Sequence, residues 1–350
     1  MTTSWGRTPK KPCSACRTRS WRPWTCPGNR AAAAPAKPFQ EKRPLTDNKP
    51  FRSGFAALLG RPNAGKSTLI NRLVGEKVAI CSDKPQTTRN SIRGNYTDDQ
   101  MQVVFIDTPG VHKPKFRLGE RMMEAVRDSL AGCDLILYLN DVTDEFGPGE
   151  EYILSMLSEL KTPVFLVLNK ADAVEKTDLL PRIAFFAEKY DFDLNVPCSA
   201  LTGENTDALM QAIREALPEG PMYYPPDMIS DFPENMLVAE LVREQVLLAT
   251  TDEVPHAVAV TVPAMEERDN GTLYIEATIY VERDSQKGIV IGKKGAMLKK
   301  IGAAARSEIE SIFGCKVWLE LQVRAKKDWR NNQGLLDSWD LTANALDELE

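Results

Sequence analysis

Short apolar runs that suit buried strands alternate with helical apolar spacing between Phe51 and Leu217. Each strand-like run is followed by polar residues, as expected where the strands of a parallel sheet end. The runs are 55–59, 103–106, 164–168 and 194–196. Helical spacing follows the first run and recurs at 207–217. This alternation predicts an α/β fold with a mostly parallel sheet and helices on both of its faces.

The pattern changes after Leu217. Residues 218–235 are rich in proline and have little periodicity, which predicts a stiff linker. Beyond it the order is helix, strand, strand, helix, loop, helix, strand, which predicts a second, α+β unit. The clearest of these segments are a helix at 236–248, strands at 256–262 and 272–281, a helix at 297–312 and a strand at 317–323.

Composition sets the two ends of the chain apart. Residues 1–50 carry 11 Lys and Arg against 2 Asp and Glu and lack apolar periodicity, which predicts a disordered extension. An organellar transit peptide and a mis-assigned start codon stay open for this segment. Residues 331–350 form an acidic tail. We therefore predict an extension at 1–50, a first domain at 51–217, a linker at 218–235, a second domain at 236–330 and a tail at 331–350.

The whole chain has the composition of a soluble globular protein, with 43% hydrophobic and 27% charged residues. No apolar run reaches the roughly 18 residues that a membrane-spanning helix needs. The seven cysteines are odd in number and scattered, which is typical of thiols in a reducing compartment rather than of a disulfide framework.

A glycine-rich loop, GRPNAGKST at 60–68, lies between the first predicted strand and the first helix. In this context the motif predicts a phosphate-binding loop, because consecutive amides and a helix N-terminus face the anion. Lys66 is expected to reach the β- and γ-phosphates, and the Ser67 hydroxyl to bind Mg²⁺. The predicted nucleotide contacts in this loop are Gly60, Asn63, Ala64, Gly65, Lys66, Ser67 and Thr68.

Three later strand ends predict the rest of a guanine-nucleotide site. Asp107 is expected to hold Mg²⁺ and the Gly110 amide to sense the γ-phosphate. After the next strand, Asp172 offers a carboxylate to two donors of guanine that adenine lacks, which excludes ATP. The remaining predicted contacts are Asn169, Lys170, Ser199, Ala200 and Leu201, the last three supplying a backbone contact to guanine O6.

In the second unit, Gly292-Lys-Lys-Gly295 lies between two helical segments, as in the loop by which KH domains clamp single-stranded nucleic acid. Residues 287–330 are also basic, with 11 Lys and Arg against 4 Asp and Glu, which suits a phosphate backbone. We expect Ile289 and Ile291 to help form the floor under the bases. The predicted RNA contacts are Ile289, Ile291, Gly292, Lys293, Lys294, Gly295 and Lys299.

The motifs at 60–71 (GRPNAGKSTLIN), 84–89 (KPQTTR) and 107–114 (DTPGVHKP) closely resemble those of the bacterial Era family, a branch of the Ras-like GTPases. The resemblance covers about 51–330 and implies a P-loop GTPase domain followed by a type II KH domain. It implies switch loops at 76–93 and 107–117. Thr88 would be the threonine that binds Mg²⁺ and senses the γ-phosphate, with Thr87 the alternative.

The resemblance also bears on catalysis. Val111 stands where Ras-like enzymes place a water-orienting glutamine, so slow intrinsic hydrolysis is expected. Relatives with this substitution use a potassium ion held by an asparagine that matches Asn63. The residues predicted to contribute to catalysis are Lys66, Thr88, Gly110 and Asn63, and the Mg²⁺ ligands are Ser67, Thr88 and Asp107.

The favoured interpretation is a GTP-hydrolysing switch that binds GTP and GDP and, by the resemblance, the 3′ end of 16S rRNA, and that assists small-subunit assembly. DNA is not an expected partner. Two alternatives stay open: an RNA-binding scaffold with a structural GTP site, and a GTPase at a membrane surface. A cytoplasmic location is expected. If the protein is instead a GTPase at a membrane surface, part of it would lie at the inner face of the inner membrane.

Overall fold

The computed structural model describes residues 50–339 except residues 85 and 252. Nearly all of the predicted N-terminal extension, and residues 340–350 of the predicted tail, lie outside the described residues. Within the described part of the chain, none of the helices combines the length and the apolar content needed to cross a bilayer.

Six strands form the sheet of the first unit, and five helices cover it. The strands are β1 (Arg52–Gly60), β2 (Ile92–Thr97), β3 (Met101–Asp107), β4 (Leu135–Asp141), β5 (Val164–Asn169) and β6 (Leu194–Pro197). Their order is β2-β3-β1-β4-β5-β6, with β2 antiparallel to β3 and all other neighbours parallel. The helices are α1 (Lys66–Val74), α2 (Arg117–Ala131), α3 (Pro148–Leu157), α4 (Lys176–Ala187) and α5 (Thr206–Ala216).

Both faces of this sheet are buried, which explains the nearly continuous apolar strands. Helices α1 and α5 pack on one face, where Leu69 and Ile213 join the same cluster as Leu137. Helices α2, α3 and α4 pack on the other, through residues such as Val126 and Phe186. The predicted α/β architecture is confirmed, and its parallel strands bring the carboxyl ends of β1, β3, β5 and β6 to one edge.

The second unit has the predicted order of elements. They are α6 (Glu234–Ala249), β7 (Ala259–Glu267), β8 (Thr272–Val281), α7 (Asp284–Ile291), α8 (Ala296–Phe313), β9 (Lys316–Ala325) and α9 (Gln333–Ser338). The sheet order is β7-β8-β9, with β7 antiparallel and β9 parallel to β8. One prediction was wrong in detail: His256 lies in a 3₁₀ turn (Pro255–Ala257), and the strand begins only at Ala259. Pro255 suits the first position of such a turn because it has no N–H to donate.

The proline-rich segment lies on the first unit as well as joining the two. The Asn95 N–H of β2 donates to the Ile229 carbonyl at 2.7 Å, and the Gln102 side chain accepts from the Tyr223 N–H at 2.6 Å. Arg93 pairs with Asp231 at 2.8 Å. These contacts fix the segment along the edge strand, so it cannot act as a freely moving tether.

Ordered structure continues past residue 330. Trp329 and Leu336 are buried against Leu118 and Met122 of α2, and α9 follows within the predicted acidic tail. The Trp329 indole N–H donates to the Ala257 carbonyl at 3.0 Å. The C-terminal end of the second unit therefore packs on the first unit.

Candidate functional site: a nucleotide site and an RNA groove

The phosphate-binding loop joins the end of β1 to the start of α1. Gly65 has φ 91°, a left-handed conformation, and a Cβ there would lie 2.2 Å from the Asn169 side-chain nitrogen, so only glycine fits. The Lys66 ammonium donates to the carbonyls of Gly60 (3.2 Å) and Arg61 (3.0 Å). The loop is thus folded around its lysine.

The Asn169 side chain connects the phosphate loop to the loop after β6 through two hydrogen bonds. Its side-chain Nδ2 donates to the Ala64 carbonyl at 2.8 Å, and its Oδ1 accepts from the Ala200 N–H at 2.9 Å. Asn169 is buried, as are Ala64 and Ala200. Asn169 therefore holds the phosphate loop against the loop after β6.

The three predicted magnesium ligands converge at the end of β3. Ser67 Oγ donates to Asp107 Oδ2 at 2.7 Å, and Thr88 Oγ1 donates to the same oxygen at 3.2 Å. The two hydroxyl oxygens lie 2.9 Å apart. Thr87, the alternative, instead donates to the Lys84 carbonyl at 2.6 Å, as a turn residue does. Of the two threonines, only Thr88 lies in this cluster.

The second switch loop starts directly beside the phosphate loop. Val111 donates its N–H to the Gly60 carbonyl at 3.0 Å, and its side chain is buried in the core between the sheet and α2. Gly110, the predicted γ-phosphate sensor, lies against Pro62. The Val111 side chain is therefore part of the core and is not among the residues that line the neighbouring cavity.

The base-recognition segments lie at the ends of β5 and β6. Asp172 is exposed in a 3₁₀ turn (Ala171–Ala173). The Lys170 ammonium donates to the Asp141 carboxylate. Burial tends to raise the pKa of Asp141, but the bond to Lys170 outweighs it and holds this pKa below its usual value. Arg72 Nε of α1 donates to the Ala200 carbonyl at 3.3 Å. Ser199 and Ala200 are buried, whereas Leu201 is exposed.

A cavity of about 460 Å³ lies over these elements. Its lining includes eight of the predicted residues: Asn63, Gly65, Lys66, Ser67, Thr68, Thr88, Gly110 and Lys170. Predicted residues outside the lining are Gly60, Ala64, Asp107, Asn169, Asp172, Ser199, Ala200 and Leu201. The rest of the lining is Pro62, the segment 81–83, Gln86 and Thr87. The residues at 81–83 and Gln86 fall within the predicted switch loop 76–93 but were not predicted as individual contacts, because a loop without periodicity does not indicate which of its side chains face the ligand.

Burial shifts the pKa values of the two oppositely charged groups in the site, Lys66 and Asp107. Burial lowers the pKa of Lys66 to about 8, and the nearby Asp107 carboxylate acts in the opposite sense. Burial raises the pKa of Asp107, opposed by Lys66 and by the two hydroxyls. Both groups would gain from ligands of opposite charge: an anion beside Lys66 and a cation beside Asp107.

The glycine loop of the second unit lies between α7 and α8. Gly292, Lys294 and Gly295 have φ values of 71°, 53° and 78°, so the chain turns sharply through left-handed conformations. A Cβ at Gly292 would lie 2.6 Å from the Met297 Cβ. The Lys293 and Lys294 side chains are exposed at the tip, as a phosphate clamp requires.

A groove of about 490 Å³ extends from this loop along α8 and β9. Its lining consists of Gly295, Leu298, Lys299, Gly302, Ala303, Arg306, Leu319 and Leu321. The two isoleucines expected in the floor are not among the lining residues of this groove: Ile289 is 52% exposed on α7, and Ile291 packs against the core. The helical spacing between Lys299 and Arg306, seven residues, could have identified Arg306 as a neighbour on the same face.

Known families match both units. Residues 55–170 match the family described as 50S ribosome-binding GTPases, and residues 253–330 match the KH domain family. An Aquifex aeolicus Era variant, solved with GDP·AlF4⁻, is 39% identical over 84% of this chain and 100% of its own, with a TM-score of 0.81.

An Era structure solved with MgGDPNP and nucleotides 1506–1542 of 16S ribosomal RNA has the same identity and coverage, with a TM-score of 0.82. Both relatives are thus matched along their whole length by a chain that carries the P-loop site and the KH loop. This protein belongs to the Era family of GTPases.

Proposed function

We propose that this chain is a GTP-hydrolysing switch that binds the 3′ end of 16S rRNA and assists assembly of the small ribosomal subunit. One observation carries the proposal: a cavity lined by the phosphate loop and switch I occurs in one chain with a groove beside the glycine loop of the KH unit. The Era relative solved with MgGDPNP and a 16S rRNA fragment, 39% identical, supports both ligands.

In this proposal the phosphate loop binds the nucleotide through its amides and Lys66. The N-terminus of α1 adds the positive end of its dipole, and the Gly110 amide senses the γ-phosphate. Lys66 moves from its loop carbonyls to the phosphates, which compensate for its burial better than neutral oxygens do. Asp172 and the loop 199–201 select guanine, with Arg72 and Asn169 holding that loop in place.

The donor set at the end of β3 fits Mg²⁺. Asp107 is fully buried, and its Oδ1 has no hydrogen-bond partner among the described residues, whereas Oδ2 accepts from Ser67 and Thr88. Two hydroxyls and a carboxylate are the oxygen ligands that this ion prefers. Bound there, Mg²⁺ would neutralise charge on the β- and γ-phosphates during transfer to water.

A potassium ion is the finer part of the proposal. Asn63 lies in the phosphate loop with a backbone φ of 67°. Its side-chain Nδ2 donates to the Asp83 carbonyl of switch I at 2.8 Å. Its Oδ1 and the carbonyls of that loop are suitable K⁺ ligands. The ion would place a positive charge beside the phosphates, whereas the apolar Val111 side chain has no charge to offer. Equal hydrolysis rates in sodium and potassium would contradict this assignment.

The RNA is expected to enter the groove along α8. Its backbone meets the Lys293 and Lys294 tip, and its bases lie over Leu319 and Leu321, with Lys299 and Arg306 at the rim. We assign the basic stretch 287–330 to RNA rather than to a lipid surface because two of its residues, Lys299 and Arg306, line the groove. A small-subunit assembly factor acts where ribosomes are built, which in a bacterium is the cytoplasm.

The proposal is tested with the purified full-length chain in two parallel assays. Phosphate release from GTP should require Mg²⁺ and should be lost in Ser67→Ala, which removes one proposed ligand. Fluorescence anisotropy should show tighter binding to a labelled copy of the 16S rRNA 3′ end than to a scrambled RNA of the same composition. Absence of Mg²⁺-dependent hydrolysis would refute the enzyme, and equal affinity for the two RNAs would refute the partner.

A further inference from the structure

Side chains of the KH unit hold switch I, residues 76–93, at its beginning. The Lys77 ammonium donates to Glu244 of α6 at 2.6 Å and also bonds Glu308 of α8. Four residues later, the Cys81 N–H donates to the other Glu244 oxygen at 2.8 Å. The buried Glu244 carboxylate therefore binds switch I at two positions, Lys77 and Cys81.

A buried arginine of the same helix holds the loop at its functional end. Arg243 binds Glu240 through two nitrogens, with Nε donating at 2.9 Å. Its Nη2 also donates to the backbone carbonyl of Thr87. Arg243 is only 1% exposed. A guanidinium in this position has few alternative conformations, so the Thr87 carbonyl is held firmly.

The residue on the other side of Thr88 is also fixed by the KH unit. The buried Arg89 guanidinium donates through Nη1 to the Val258 carbonyl at 2.6 Å. It lies 5.6 Å from the centre of the Trp329 ring, within the range of a cation–π contact. Both neighbours of Thr88 are thus bonded to residues outside the GTPase unit.

This arrangement bears directly on the position of the Thr88 hydroxyl. Thr88 Oγ1 lies 2.9 Å from Ser67 Oγ and 3.2 Å from Asp107 Oδ2, within the proposed metal cluster. Fixing the backbone of a loop residue in one conformation costs conformational entropy. A loop that is already ordered by α6 does not incur that cost again when the nucleotide binds.

We propose that Arg243 is a positioning residue for the GTP site: from the RNA-binding unit, it holds switch I so that Thr88 stands ready for the metal and the γ-phosphate. The inference rests on the proposed function and adds to it a named contact. Arg243 does not touch the nucleotide in this account. It acts through the Thr87 carbonyl, with Glu244 supporting the start of the same loop.

The inference makes a selective prediction about nucleotide affinity. GTP uses Thr88 through the γ-phosphate and metal, whereas GDP has no γ-phosphate for it to sense. If the loop adopts the competent conformation only a tenth as often, the GTP affinity falls about tenfold. GDP affinity should stay within about twofold, because Lys66 and the base loops do not depend on switch I.

The experiment uses the full chain and labelled GDP and GDPNP, each with Mg²⁺. Arg243→Met is combined with Glu240→Gln so that no buried carboxylate loses its partner. Arg283→Met is the matched control, because Arg283 belongs to the same unit but its side chain is 71% exposed. Arg243→Lys is the second variant: it keeps a charge beside Glu240, but a single ammonium cannot reproduce the fork that bonds both Glu240 and Thr87.

The expected result is an affinity for GDPNP about tenfold weaker, with GDP binding nearly unchanged, in the double variant. The same selective change, about threefold, is expected in Arg243→Lys, and none in the control. An unchanged GDPNP-to-GDP ratio in a folded variant, including equal losses for both ligands, would overturn the inference. If the double variant does not fold, Arg243→Lys decides by the same criterion. A wild-type chain that binds neither nucleotide would instead overturn the proposed function.

Discussion

Asn169→Ala tests the interpretation of this residue as a tie between two loops. The change removes the amide that donates to the Ala64 carbonyl at 2.8 Å and accepts from the Ala200 N–H at 2.9 Å. Asn169 is 1% exposed, so water does not readily replace these bonds. Two buried backbone groups are left without partners.

The magnitude follows from those two groups. Each unsatisfied buried group costs about 1–3 kcal/mol, so the free energy of unfolding should fall by roughly 2–6 kcal/mol. For a domain of this size that corresponds to a decrease in Tm of roughly 4–24 °C. The affinity for GDP should also fall, by about tenfold or more, because the phosphate loop and the guanine loop lose their common support.

Thermal unfolding without nucleotide, followed by titration with labelled GDP, measures both effects. Asn270→Ala is the control, since it removes an exposed turn hydrogen bond to the Thr272 N–H in the other unit. It should lower stability by about 1 kcal/mol at most and leave GDP binding unchanged. A Tm within about 2 °C of wild type and an unchanged GDP affinity for Asn169→Ala would refute the reasoning.

Three further predictions concern the base, the RNA loop and the charge of the lysine. Asp172→Asn should shift preference from guanine to xanthine nucleotides, measured by competition between GDP and XDP; unchanged preference would contradict the assignment. Gly292→Asp, whose Cβ would meet Met297 at 2.6 Å at a left-handed φ of 71°, should abolish RNA binding in a filter assay while GDP affinity is retained. Phosphate binding favours protonated Lys66, whose pKa is about 8 in the free protein, so GDP affinity should be flat below that pH and fall above it. Between pH 8 and 9 the protonated fraction of Lys66 falls from about one half to about one eleventh, so the GDP affinity should fall about fivefold. Lys66→Arg should remove this decrease because its guanidinium stays charged.

Much of the candidate nucleotide site could be predicted from the sequence because its motifs lie at strand ends. In a parallel sheet these ends share one edge, so short motifs far apart in the chain, such as those at Ser67 and Asp107, can be predicted to lie together. The roles inside the site were harder to predict. Asn169 contacts residues 105 and 31 positions away, and no local pattern reports such partners.

Contacts between the units could not be predicted from charge pattern alone. The charged neighbours of Arg243 on α6, Glu240 and Glu244, are both acidic, and an arginine beside carboxylates on a helix is normally solvated. Only the packing of α6 against switch I buries it beside Glu240. Similarly, the composition of 331–350 indicates an acidic tail, yet Leu336 packs on α2 because Trp329 brings the chain back across the first unit.

The central claim is that one switch links GTP turnover to RNA binding. The most direct measurement is the GTP turnover rate of the purified chain, alone and with a short RNA copied from the 3′ end of 16S rRNA. The account predicts a slow basal rate that rises with this RNA and not with a scrambled RNA. A rate that the matching RNA leaves unchanged would contradict the coupling.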